Sequence, residues 1–325
     1  MKPIASVSLD LDNEWTYLKV HGDATWESYP SYLDIVVPRV LRFFEERNLT
    51  ITFFVVGQDA ALEKNHTALA SLSAAGHEIG NHSFAHEPWL HLYSEGEVEA
   101  ELGRTEDLLE EVTGQRPIGF RGPGFSVSET VLKVLKRRGY QYDASTFPTF
   151  LGPLARAYYF MTAHLSEEEK KKRKLLFGAF AEGLRPLKPY RWRLDGDSLI
   201  EIPVTTLPIL KIPFHISYIQ YLAAFSPDLA RLYFKTALRC CLWTGVQPSL
   251  LLHPLDFLGS DDVQSLSFFP AMKVPSAIKM KRIAGYIDAM GRIFDIRTMR
   301  EHGESIGRQS GIPMRQPNFE HQADR

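Results

Sequence analysis

SVSLDLD, residues 6–12, alternates strictly: Val7, Leu9 and Leu11 fall on one side of an extended chain, Ser8, Asp10 and Asp12 on the other. The stretch reads as a strand with two carboxylates on one face at its end. TITFFVV (50–56) is wholly apolar, as a strand is when helices cover both faces of a parallel sheet. Between them, Ser31–Arg47 has the spacing of an amphipathic helix, with Ile35, Val36, Val40, Leu41 and Phe44 on its apolar side. The alternation continues outward: a helix over 58–75, a strand at His77–Gly80, a helix at Glu95–Thr113, a strand at Ile118–Arg121, a helix at Ser128–Arg138 and a strand at Tyr142–Ser145. Repeated strand–helix units predict an α/β fold with a parallel sheet, open or closed into a barrel.

After Phe147 the rhythm breaks. Residues 147–198 show no clear strand and include SEEEKKKRK (166–174), whose Glu167–Lys171 and Glu168–Lys172 spacings suit a solvated helix in an insertion. Strand–helix units resume at Ser198–Thr205, Pro227–Trp243, Ser249–His253, Pro275–Arg292 and Phe294–Arg297. The expected organisation is one domain over 1–303 and a flexible tail over 304–325, rich in Gly, Gln, Arg and Pro.

With 44% hydrophobic residues, 23% charged residues and a formal net charge of -2, the chain has an ordinary globular composition and no general attraction to nucleic acid. The opening MKPIASVSLDLDNEW lacks the basic and apolar regions of a signal peptide, and Cys240 and Cys241 are adjacent in a predicted helix. Both features predict a cytoplasmic location. LPILKIPFHISYIQYLAAF (207–225) is long and apolar, but Pro208 and Pro213 interrupt it and Lys211, His215 and Gln220 sit within it. It does not read as a membrane span; it could instead lie against a membrane surface or roof a pocket.

In parallel α/β folds the reacting groups gather at the C-terminal ends of strands. GHEIGNHSFAH (76–86) puts His82 and His86 four apart just past one strand, close enough to aim two imidazoles at one point if the backbone makes a helical turn. Asp10 and Asp12 end another strand, Arg121 and Asp143 lie on two more, and His253 ends LLLH. One such residue could be accidental; the whole set is hard to place by chance.

These segments carry a resemblance. SLDLD, HSFAH, RGPG, DASTF and LLH stand in the order of the five motifs of the polysaccharide deacetylase superfamily, the NodB-homology domain or carbohydrate esterase family 4. The resemblance implies a distorted (β/α) barrel, NodB-like, with seven parallel strands and here an insertion after the fifth strand. It also implies metal-dependent removal of an acyl group. Carried over by position, Asp12, His82 and His86 would be metal ligands, with Zn2+ the expected ion and Co2+, Ni2+ or Mn2+ as substitutes. Asp10 would be the general base and His253 the general acid, with Arg121 orienting Asp10 and Asp143 holding His253. Gly124 stands where the family has an oxyanion donor. Phe125 and Phe147 stand at the pocket wall, and Trp15 is a candidate for stacking on a sugar ring. The chain departs from the family where Leu11 separates two normally adjacent aspartates and where Phe147 replaces a tryptophan.

The function expected from this set is hydrolysis of an N-acyl, chiefly acetyl, group on an amino sugar or sugar-containing precursor. Two alternatives remain: a deformylase or amidase acting on a non-sugar or lipid-linked amide, and a non-catalytic carbohydrate-binding barrel.

Overall fold

The computed structural model describes residues 2–152 and 180–319. SEEEKKKRK and most of the expected insertion lie outside the described residues. Seven strands form a parallel run: β1 (Ile4–Leu11), β2 (Thr52–Val55), β3 (Glu78–Asn81), β4 (Gly119–Phe120), β5 (Tyr142–Asp143), β7 (Asp197–Glu201) and β8 (Ser249–Leu252), in the spatial order β7-β5-β4-β3-β2-β1-β8. β9 (Asp295–Arg297) also pairs with β1, along Ile4–Ser6.

The expected barrel closure is not made. Beyond β7, Ile202 and Val204 donate to the Asp143 and Thr146 carbonyls, so Pro203 and Thr205 face the other way, toward β8. Thr205 N–H reaches the Ser249 carbonyl at 3.1 Å and its hydroxyl accepts from Ser249 N–H at 2.7 Å. Pro203 has no N–H to give, and the ladder lapses there.

Two other expectations need correction. Residues 147–198 do contain a strand: β6 (Tyr190–Leu194) turns back as an antiparallel hairpin with β7. Its two-residue turn is Asp195-Gly196, with φ of 39° and 93°, the Asp-Gly signature of a tight hairpin. The tail is also structured at its start. Glu304 lies within the helix Met299–Gly307, and β10 (Met314–Arg315) pairs with β6.

Helices cover the sheet largely where the sequence pattern asked for them, although the single helix expected over 58–75 is broken into Gly57–Ala60, a 3-10 turn at Glu63–Asn65 and His66–Ala74. Leu33–Glu45 buries Leu33, Val36, Val37, Val40, Phe43 and Phe44, at roughly 1.5–3 kcal/mol for each large side chain removed from water. Glu95–Thr113 starts in a Ser94/Glu97 capping box and ends at Gly114 in the left-handed conformation. β1 is buried along nearly its whole length, and its polar alternation serves the interior. Ser6 Oγ meets His302 Nδ1 at 2.9 Å near the bottom of the strand and Ser8 Oγ accepts from Arg121 in the middle. Asp10 and Asp12 stand at the top.

Candidate active site

The sheet register collects the site. Leu9 pairs with Leu252, so Asp10 and His253 occupy the next rung on neighbouring strands. Leu11 pairs with Val55, Val55 with Asn81 and Asn81 with Phe120, which puts Asp12, His82 and Arg121 one step beyond the last full rung. Parallel strands lie about 4.8 Å apart, so these side chains are neighbours although far apart in sequence.

Asp12, His82 and His86 converge. Asp12 Oδ1 is 3.4 Å from His82 Nε2 and 3.0 Å from His86 Nε2, and one ligand atom from each residue lies within 4.8 Å of the others. All three are buried, and Asp12 Oδ1 has no hydrogen-bond donor. Burial opposes ionisation of Asp12, yet the adjacent imidazoles of His86 and His82 outweigh it and hold its carboxyl well below the usual range. His82 Nδ1 pairs with the Arg121 carbonyl at 2.6 Å, which turns Nε2 inward. Two imidazoles and one carboxylate aimed at one point, one oxygen lacking any donor, fit a divalent metal ion.

The histidine turn is not helical, contrary to the expectation from spacing. Ser83 and His86 take left-handed φ of 59° and 52°. The turn is held from outside: Glu101 Oε2 accepts from the N–H groups of Phe84 and Ala85 at 2.8 and 3.0 Å, and Gly57 and Gln58 donate to the carbonyls of Ser83 and Phe84. Gly57 is required here, since a Cβ would lie 2.4 Å from Thr105 Oγ1.

Asp10 accepts from Arg121 Nη1 at 2.7 Å through Oδ1, and its Oδ2 lies 4.0 Å from His82 Nε2. Arg121 is fully buried, donating also to Ser8 Oγ and to the Ala144 carbonyl, with its guanidinium carbon 4.4 Å from the Phe54 ring centroid. In the turn after Arg121, a Cβ at Gly122 would fall 1.9 Å from the Ser126 carbonyl oxygen, and Gly124 has a φ of 56°. Phe125 and Phe147 stack at 4.7 Å, and Phe147 meets His215 edge-on at 5.7 Å.

The structure departs from the expected roles at two residues. Asp143 makes no hydrogen bond to His253. It accepts from Ser145 Oγ at 2.5 Å and faces Glu201 on the neighbouring strand, where burial raises both carboxyls above their usual range. His253 is held by Ser217 Oγ, 3.0 Å from Nδ1, and by Asp256, which accepts from Ser217 at 3.1 Å and from His253 N–H at 2.8 Å. Trp15 is not a stacking platform: it is buried and donates through Nε1 to Asp59 at 2.9 Å.

Asp59 joins this network in the core behind the site. It accepts from Asn13 at 2.7 Å as well, and burial raises its carboxyl to about 7. Glu101, Ser217 and Asp256 were missed from sequence. Only Asp256, three residues past His253 in HPLD, left a readable signal there.

Residues 24–142 match the profile of the family described as Polysaccharide deacetylase. Over those residues the chain is similar to that family. The matched segment holds His82, His86 and Arg121; Asp10, Asp12 and His253 lie outside it and join the site through the fold. A peptidoglycan deacetylase of Helicobacter pylori is 28% identical over 34% of this chain and 37% of its own length. The peptidoglycan-N-acetylmuramic acid deacetylase of Bacillus subtilis is 35% identical over 32% of this chain and 39% of its own. The chain thus spans under two fifths of the length of these curated relatives. A crystal structure from Mycobacterium smegmatis, ascribed to a polysaccharide deacetylase, superposes with a TM-score of 0.60 at 20% identity, over 96% of this chain and 93% of that one. That likeness shows a shared fold.

Proposed function

We propose that this protein is a metal-dependent hydrolase that removes an N-acyl group, acetyl in the first instance, from an amino sugar or a sugar-containing precursor. One observation carries the reading: Asp12, His82 and His86 point their ligand atoms together, and Asp12 Oδ1 is buried with no donor. These three residues would hold the ion, Zn2+ by the nature of the ligand set. When bound, a divalent cation supplies Lewis-acid chemistry at an acyl carbonyl and acidifies water.

The chain's own residues supply the rest. Asp10 takes the proton of the attacking water, fixed in place by its 2.7 Å bond from Arg121. His253 stands at the mouth with Nδ1 engaged by Ser217, which leaves Nε2 to protonate the departing amine. Phe125 and Phe147 form an apolar wall beside the Gly124 turn, where the carbonyl oxygen would be received.

The test is acetate release from N-acetylated sugars of increasing length, beside formate release from N-formyl analogues, by wild type, Asp10→Asn and His253→Ala. The proposal expects each substitution to cost about 10²–10⁴ in kcat. Unchanged turnover in both variants would overturn the assignment. Faster formate than acetate release would shift the reading to a deformylase.

A further inference from the structure

The helix Pro227–Thr244 packs Ala230, Phe234, Ala237, Leu238 and Cys241 against the core. Its opposite side is apolar too. Leu229 and Leu232 are 52% and 62% exposed and Trp243 is 80% exposed. At about 100° per residue these three fall within roughly 60° of one another, so they form one stripe along the helix. The preceding helix, Ile216–Phe225, adds Tyr221 and Phe225, whose rings meet at 5.2 Å, with Phe225 75% exposed. The loop before it adds exposed Ile209 and Leu210.

The charge on this face is one-sided. From 207 to 244 the chain carries Lys211, Arg231, Lys235 and Arg239 against Asp228 alone, in a protein whose net charge is -2. Arg231 pairs with Asp228 at 3.1 Å. Lys235 and Arg239 are exposed and form no ion pair with an acidic side chain among the described residues.

We infer that the exposed side of Pro227–Thr244, with Tyr221 and Phe225, is a docking surface for an anionic lipid bilayer. Leucine and tryptophan enter the interfacial layer while Lys235 and Arg239 meet lipid phosphates, the arrangement of an interfacial helix. A neutral partner would leave these cations uncompensated, whereas an anionic bilayer meets them with lipid phosphates while its interfacial layer takes the leucine and tryptophan side chains. No described helix is long and apolar enough to cross a membrane, so the contact is peripheral.

The surface is tied to the site. The helix that ends at Phe225 starts just after His215, whose ring lies 6.0 Å from that of His253, and carries Ser217 in its first turn. Docking would set the cleft wall at the bilayer. Resting on the proposed hydrolysis, this points to an acylated amino sugar carried on a lipid as the substrate class.

The experiment is flotation of the full chain with vesicles of phosphatidylcholine alone and of phosphatidylcholine with phosphatidylglycerol. It is run at ionic strengths of about 0.01 M and 1 M, where charges are screened over about 30 and 3 Å. Expected are binding to the anionic vesicles, loss at high salt, and weakening by roughly fivefold per cation in Lys235→Gln/Arg239→Gln. Leu229→Ser/Leu232→Ser/Trp243→Ser would release the protein from the anionic vesicles. No binding to anionic vesicles, or binding indifferent to both sets of substitutions, would overturn the inference. So would a lipid-free change of oligomeric state in the apolar variant, which would make the face a contact between copies.

Acetate release from a water-soluble acetylated sugar is measured beside the flotation and should be unaffected in both variants. Vesicle binding without hydrolysis of soluble or vesicle-borne substrate would remove the hydrolytic reading and leave the surface standing.

Discussion

Arg121 Nη1 donates to Asp10 Oδ1 at 2.7 Å from a guanidinium with no exposed surface. The pair joins β1 to the end of β4 across the interior, and the same Nη1 also reaches Ser8 Oγ. Arg121→Ala would leave a buried carboxylate without its partner, a change that typically costs 3–5 kcal/mol. The denaturant midpoint should fall accordingly, and kcat should fall by about 10² or more. Arg121→Lys should restore only part of either, because an ammonium cannot serve Asp10, Ser8 and the Ala144 carbonyl in one plane. Equal stability and turnover in Arg121→Ala would refute the positioning role.

Asp12 brings a different expectation. With two imidazoles around an oxygen that has no donor, the triad should be the principal cation site. Chelator treatment should abolish activity and lower the melting temperature. Restoring Zn2+ at about 100 times its dissociation constant should return about 2.7 kcal/mol of stability. His82→Ala and His86→Ala should each lose stoichiometric metal, whereas Asp10→Asn should retain it. Elemental analysis of these three proteins and of Asp12→Asn separates ligand from base. Metal loss in Asp10→Asn with retention in Asp12→Asn would exchange the two roles.

Much of this was legible because periodicity and strand ends are local signals. The Ser8/Asp10/Asp12 face, the helix–strand alternation to Tyr142 and the placing of His82 and His86 just past a strand all follow from short windows of sequence, whereas the non-helical turn that brings the two rings together does not. The β6–β7 hairpin was missed although Asp195-Gly196 marks its turn, because its strand alternates Tyr190, Trp192 and Leu194 with arginines and resembles the charged run before it. Other features were not local. The gap between the chain after β7 and β8 depends on which way Pro203 faces, and the partner of His253 depends on a serine within an apolar stretch. Trp15 illustrates the reverse error, since an aromatic beside a motif looks like a platform until its nitrogen is found on Asp59.

Glu101 gives a prediction about the histidine turn. Its Oε2 accepts two successive N–H groups, from Phe84 and Ala85, while His86 sits in a left-handed conformation that this non-glycine residue adopts at a cost. Glu101→Ala should free the turn without opening the core. Metal affinity should fall about 10–100-fold, as for other supporting partners of metal ligands, with little change in far-ultraviolet circular dichroism. An unchanged affinity would show that the turn holds itself.

His302 predicts a pH effect on stability remote from the site. It is buried beside Ser6, and burial lowers its imidazole to about 4. His77 is likewise lowered to about 4. An unfolded histidine takes a proton near 6.5, so below that pH the unfolded chain binds protons that the fold refuses. The stability tied to each neutral ring is complete above about pH 6.5 and is lost as the pH falls toward 4. Melting curves across that window should show a shallower decline in His302→Gln, by up to one proton, than in wild type. Identical slopes would mean that His302 is protonated in the fold.

His253, Ser217 and Asp256 form a hydrogen-bonded chain whose members should not act independently. Ser217 Oγ lies 3.0 Å from His253 Nδ1 and donates to Asp256 Oδ2 at 3.1 Å, while Asp256 also accepts from the His253 backbone N–H. If Ser217 acts by holding the ring, Ser217→Ala should lower kcat about tenfold with KM and metal content unchanged, and His253→Ala should lower it by about 10²–10⁴. The double substitution should then be no worse than His253→Ala, because removing the tether costs nothing once the ring is gone. Asp256→Ala should add a loss of stability of about 1 kcal/mol, since it also removes the cap on the His253 N–H. Strictly additive losses in the double variant would place Ser217 in direct contact with substrate instead of behind the acid.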